Sequence, residues 1–210
     1  MKKKRMATLL LVMVMAVGMF SGCGAKFDAS KYLQAQLDNS YKNDSSLIIE
    51  QKIDTKENAE KVYEQVLDNQ VDGFFTGVDV SDEVKSRYRD IFADMLAKAD
   101  YTVKEAEKQS DGSYKVSVDS KKMKIFEPVM EEVTKEAESL STDDLNTYMN
   151  DFFDLMADSL EKELKDGVEY GDAENLTVRI EIVNKVYTMN ESDVNALTTS
   201  LFDSEAISAQ

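Results

Sequence analysis

Apolar residues recur along most of this chain at the three- and four-residue spacing of amphipathic helices, and in a few stretches they change to strict alternation. Asp28 stands in N-cap position with Phe27 and Tyr32 spaced as a hydrophobic staple, so a first helix is expected there. A second, from about residue 55 to 75, carries Tyr63, Val66, Leu67, Val71 and Phe74 on one stripe. Ser81 opens a third with Val84, Tyr88, Ile91, Phe92, Met95 and Leu96, and the two should pair antiparallel. Pro128 suits the first turn of a helix bearing Val129, Val133 and Ala137. Ser141 with Asp144 forms a capping box ahead of Leu145, Met149, Phe152, Met156 and Leu160, and a last helix from about Asn190 carries Val194, Leu197 and Leu201.

Alternation marks the strands. Tyr101-Thr102-Val103 leads through Asp111-Gly112 to Tyr114, Val116 and Val118, which reads as a hairpin. Leu176, Val178, Ile180 and Ile182 alternate over a third strand, followed by Val186 and Tyr187. These elements predict an α+β fold, with about six helices packed on a three-stranded antiparallel sheet. No Pro/Gly/Ser-rich linker divides residues 28–210, which are expected to form a single domain. The pattern Ser81-Asp-Glu-Val84, Asp90-Ile-Phe92, Met95 is echoed at Thr142-Asp-Asp-Leu145, Asp151-Phe-Phe153, Met156. Either a helix-helix-strand unit is duplicated, or two capped amphipathic helices share the pattern their role demands.

The first residues follow a different logic. Lys2, Lys3, Lys4 and Arg5 precede a charge-free run from Met6 to Phe20, too short for a hydrocarbon core of about 30 Å. The segment reads as an export signal, with an uncleaved membrane helix as the alternative. Its end, Phe20-Ser21-Gly22-Cys23, resembles the lipobox of bacterial lipoproteins, with Phe20 where an aliphatic residue is usual. That resemblance implies a signal peptide over 1–22, cleavage between Gly22 and Cys23, and a diacylglycerol on the Cys23 thiol. Residues 23–27 then form a short lipid-anchored tether at the outer face of the cytoplasmic membrane.

Charge and composition narrow the chemistry further. The 210-residue chain has a net charge of −16, which becomes −20 once the four basic residues of the signal are removed. Phosphate backbones repel such a chain, so nucleic acid is excluded as an expected partner. The absence of histidine removes Ser-His-Asp and Cys-His nucleophile systems and imidazole metal ligands. The one cysteine is assigned to the lipid, leaving no thiol for redox chemistry.

Asp68-Asn-Gln70-Val-Asp72-Gly73-Phe74-Phe75-Thr-Gly-Val-Asp79 resembles an EF-hand calcium loop, with Asp68, Gln70, Asp72 and Asp79 at ligand positions and Gly73 at the turn. Gln70 is neutral and Asp79 shorter than the usual closing Glu, so Ca²⁺ would be held weakly. The competing reading runs a helix through Phe75, with both phenylalanines in the core. Asp143-Asp144, Glu131-Glu132 and the Glu169 to Glu174 pair are candidates for a carboxylate-dependent hydrolase. Met149, Phe152, Phe153 and Met156 could line an apolar pocket or simply fill the core. Lys121-Lys122-Met123-Lys124 is the one basic cluster after the signal.

Lys26-Phe27-Asp28-Ala29-Ser30 and Tyr101-Thr-Val-Lys-Glu-Ala-Glu107 are similar to segments of small uncharacterised lipoproteins of Gram-positive bacteria. The leading expectation is a noncatalytic, membrane-anchored domain without a cofactor, binding a protein or a small molecule. A weak calcium module and a carboxylate-dependent hydrolase are the alternatives.

Overall fold

Helix starts follow from side chains that occupy the first free backbone N–H groups. The computed structural model describes residues 27–138, 140 and 144–208. Its elements run α1 (Ala29–Lys42), α2 (Ser46–Glu50), α3 (Lys56–Phe74), α4 (Asp82–Ala97), β1 (Asp100–Lys108) and β2 (Tyr114–Lys124). They continue as α5 (Phe126–Ala137), α6 (Leu145–Asp166), β3 (Glu169–Val183), β4 (Val186–Met189), α7 (Glu191–Leu201) and α8 (Glu205–Ser208). Asp28, Thr55, Ser81, Asp144 and Asn190 accept from the N–H three residues on and so begin α1, α3, α4, α6 and α7. Six helices have eleven residues or more, and α2 and α8 are single turns. The expected capping box resolves to Asp144 alone within the described residues, since Ser141 lies outside them.

The sheet has four antiparallel strands in the order β1-β2-β3-β4, one more than the periodicity predicts. Val186 and Tyr187 form the added strand, joined to β3 by a two-residue turn in which Asn184 and Lys185 both have positive φ. β3 also begins at Glu169, seven residues before the alternating run, because β2 extends to Lys124 and supplies a partner for that polar stretch. At the first hairpin, the Asp111 carboxylate accepts from the Ser113 N–H and hydroxyl, and Gly112 takes φ +89.

One face of the sheet is core. Val116 pairs with Val178 and Tyr114 with Ile180, and Val116, Val118, Val178 and Ile180 are fully buried. α1 lies against β1 and β2, and α7 against β2 and β3. α4 and α6, where the sequence echo falls, pack on each other behind this layer. Each is followed by a strand, as the echo implies. Phe74, Phe75, Tyr88, Phe92 and Phe153 fill the space between α3, α4 and α6. The Phe27–Tyr32 staple forms at 5.4 Å, and Phe27 also stacks on Tyr187 at 3.6 Å. Phe27 thereby ties the first described residue to the end of the sheet.

Candidate functional site

The calcium-loop expectation meets a helix. Asp68, Gln70 and Asp72 all lie within α3, where successive residues rotate by about 100° and alternate side chains diverge instead of converging. Gly73 is helical, Gln70 is buried, and Asp68 pairs with Arg89 at 3.0 Å. Asp79 lies beyond the helix in the connection to α4. Among the described residues no three acidic or cysteine side chains are grouped to hold a metal ion. The aromatic residues explain the outcome: Phe74 stacks on Tyr88 at 5.0 Å and Phe75 is buried, which draws the end of the helix into the core.

The acidic pairs are similarly dispersed. Asp144 caps α6 and Glu132 binds Lys162 at 2.7 Å, while Asp143 lies outside the described residues. Glu169 and Glu174 stand five positions apart on β3, across from Lys124 and Ser120, with an irregularity in the β2–β3 register between them. What the sequence did not signal is an acidic concavity of about 410 Å³, lined by Lys124, Glu127, Pro128, Glu131, Glu163, Gly167 and Glu169. Only the i, i+4 spacing of Glu127 and Glu131 on α5 was legible beforehand, because Glu163 and Glu169 arrive from other elements.

The Met and aromatic stripe is core: Phe153 and Met156 are buried, with Met149 and Phe152 packed against them. The basic cluster is divided among partners. Lys121 pairs with Asp100, Lys122 with Glu205, Met123 is fully buried, and Lys124 lies across from Glu169. A second concavity of about 590 Å³ lies at the far end of the sheet, lined by Gln109, Ser110, Asp111, Ser113, Lys115, Arg179, Glu181 and Ile182. Of its two cations, Lys115 and Arg179, the latter is held by Asp193 at 2.7 Å, and the wall is mostly polar.

Titratable groups elsewhere serve structure. The hydroxyl of Tyr41 bonds Thr198, and that of Tyr101 donates to Asp38 at 2.7 Å. Burial raises the phenols of Tyr41, Tyr88 and Tyr101, and that of Tyr32 to about 12, so these stay protonated at neutral pH. Arg87 on α4 reaches three acids on α6, binding Glu161 through both carboxylate oxygens at 2.8 and 2.9 Å and also contacting Asp154 and Asp158. The hydrogen bond from Arg87 holds the Glu161 carboxyl below its ordinary value. Its stabilisation is therefore present above the unfolded carboxylate range and lost as pH falls through the folded value. Arg87→Met is expected to lower stability at pH 7 by about 1 kcal/mol, with solvent screening keeping the effect small. The gap between the two proteins' melting curves should narrow as pH falls through the lowered Glu161 value and close once that carboxyl is neutral; a gap that stays unchanged as the solution is acidified would contradict the clamp.

Gly22, Cys23 and the whole of 1–26 lie outside the described residues. Among the described residues no helix is long and apolar enough to cross a membrane.

No family model matches the chain, and no curated protein matches its sequence. The fold is nevertheless shared with a solved structure, that of a "putative lipoprotein" (ycdA) from Bacillus subtilis. The TM-score is 0.58 at 12% identity, with 84% of this chain and 56% of that one covered. This chain thus spans little more than half of that protein's length, and the likeness is one of fold.

Proposed function

We propose that this chain is an exported lipoprotein anchored through Cys23 to the outer face of the cytoplasmic membrane, bearing a noncatalytic domain that binds a protein or a small molecule. The lipobox Phe20-Ser21-Gly22-Cys23 carries the reading. The fold shared with the Bacillus subtilis protein supports it, as does a tether of only three residues between Cys23 and the packed Phe27. The noncatalytic part rests on the chemistry available: a chain without histidine, in which Asp144 caps a helix and Glu132 and Asp68 pair with lysine and arginine. The two polar concavities at opposite ends of the sheet are the places where a ligand would meet the domain.

Cells making the full chain in a Gram-positive host should incorporate labelled fatty acid into the protein, and its mature N-terminus should be a diacylated Cys23. Cys23→Ala is expected to abolish the label completely. Persistence of label in the variant, or a wild-type protein that keeps residues 1–22 with a free thiol, would overturn the anchor.

A further inference from the structure

The end of the sheet nearest Phe27 brings exposed apolar side chains and basic side chains together. Tyr187, on which Phe27 stacks, is the cross-strand partner of Ile182. Ile182 and its neighbour Val183 are each 48% exposed, among the few large apolar side chains that reach solvent. The β1–β2 turn lies beside them, since a Cβ on Gly112 would stand 3.4 Å from the Ile182 Cδ1. Both hairpin turns thus share one end, with two apolar side chains at the rim.

Charge there departs from the rest of the molecule. Residues 107–115 and 179–187 hold four basic side chains, Lys108, Lys115, Arg179 and Lys185, against three acidic ones, and with Asp193, which holds Arg179, the charges balance, in an exported chain that is strongly negative. Among the described residues no ion pair engages Lys108, Lys115 or Lys185. Lys185 also occupies a turn position of positive φ, which glycine or asparagine would fill with less strain.

We infer that this end of the sheet rests in the headgroup layer of the bilayer, with Ile182 and Val183 at the level of the upper acyl chains and the nearby lysines among lipid phosphates. The inference rests on the lipid-anchor reading and adds an orientation to it. Four residue steps separate Cys23 from Phe27 and extend to at most about 14 Å. A headgroup layer is about 5 to 8 Å thick, so the tether cannot hold Phe27 far above it. Glu169, at the other end of β3, lies about 43 Å along the strand from Ile182 and would point away from the membrane. The acidic concavity at Glu127, Glu131 and Glu163, close to that end, would then open to the cell exterior.

The chain contains no tryptophan, so a single substitution gives an unmixed fluorescent report. The full-length lipidated protein is placed in phosphatidylglycerol vesicles whose acyl chains are brominated near the glycerol, as Ile182→Trp, as Val183→Trp, or as Ala173→Trp on exposed strand about 30 Å away. Quenching of about twofold is expected for the first two and none for the third. Equal quenching in all three, with the protein pelleting on vesicles, overturns the orientation and leaves the anchor intact. A blue-shifted but unquenched Ile182→Trp shows this end covered by protein and also overturns it. Protein that fails to pellet overturns the anchor and the orientation together.

Discussion

Tyr88→Ala is expected to lower folding stability by about 4 kcal/mol, because it empties the centre of an aromatic cluster that cannot close over the gap. Tyr88 is fully buried. Its ring lies 5.0 Å from Phe74, 5.0 Å from Phe75, 5.9 Å from Phe92 and 6.0 Å from Phe153. Its hydroxyl donates to the Phe153 carbonyl at 2.9 Å. These contacts join α3, α4 and α6, so the loss falls on three helices at once. For a domain of this size the melting midpoint should drop by roughly 12 °C. Tyr88→Phe separates the hydroxyl from the ring. The Phe153 carbonyl sits within α6 and has a helical donor as well, so losing the phenol should cost only about 1 kcal/mol. A loss below about 2 kcal/mol for the alanine variant, in denaturant titration followed by circular dichroism, would contradict this packing.

Asp203→Ala should be nearly as costly, at about 3 kcal/mol. α5 has no side-chain cap of its own, and Asp203 supplies one from the far end of the chain. Its carboxylate accepts from the N–H groups of Ile125, Phe126 and Glu127 at 3.2, 3.1 and 3.1 Å. Pro128, the next residue, has no N–H, so this side chain and the proline account for the whole first turn of α5. The Asp203 N–H donates to the Met123 carbonyl, and Met123 bridges Phe202, which sets the carboxylate in place. Asp203 is only 6% exposed, so its removal strands donors away from water, and its negative charge also complements the helix N-terminus. Asp203→Asn keeps one acceptor oxygen and should lose about half as much. Equal losses in the two variants would show that charge, not the number of acceptors, holds this turn.

Much of the helical layout was legible because its signals are local. Asp28, Ser81 and Asn190 bond to N–H groups three residues away, and the stripes of Val84, Tyr88, Ile91, Phe92 and Met95 record a single buried face. The Asp111-Gly112 turn was readable for the same reason. Where the expectation missed, the deciding partner was remote. The 68–79 segment has oxygen atoms at calcium spacing, but Phe74 and Phe75 gain more by packing on Tyr88 and Phe153 than the segment could gain as an open loop. The first half of β3, Glu169 to Asn175, has no alternation and is a strand because β2 runs alongside it. The acidic concavity likewise draws its carboxylates from α5, α6 and β3.

By itself the sequence determined the α+β class and the helix starts at Asp28, Thr55, Ser81, Asp144 and Asn190, and it holds the lipobox on which the proposed anchor rests, since each depends on residues within a few positions of one another. Only the tertiary structure decided that α3 continues through Phe74, that Asp203 caps α5 from 77 residues away, and that Ile182 meets solvent across from Tyr187, on which Phe27 stacks. Those outcomes depend on which distant surfaces exclude water together, and no short window of sequence contains both sides of such a contact.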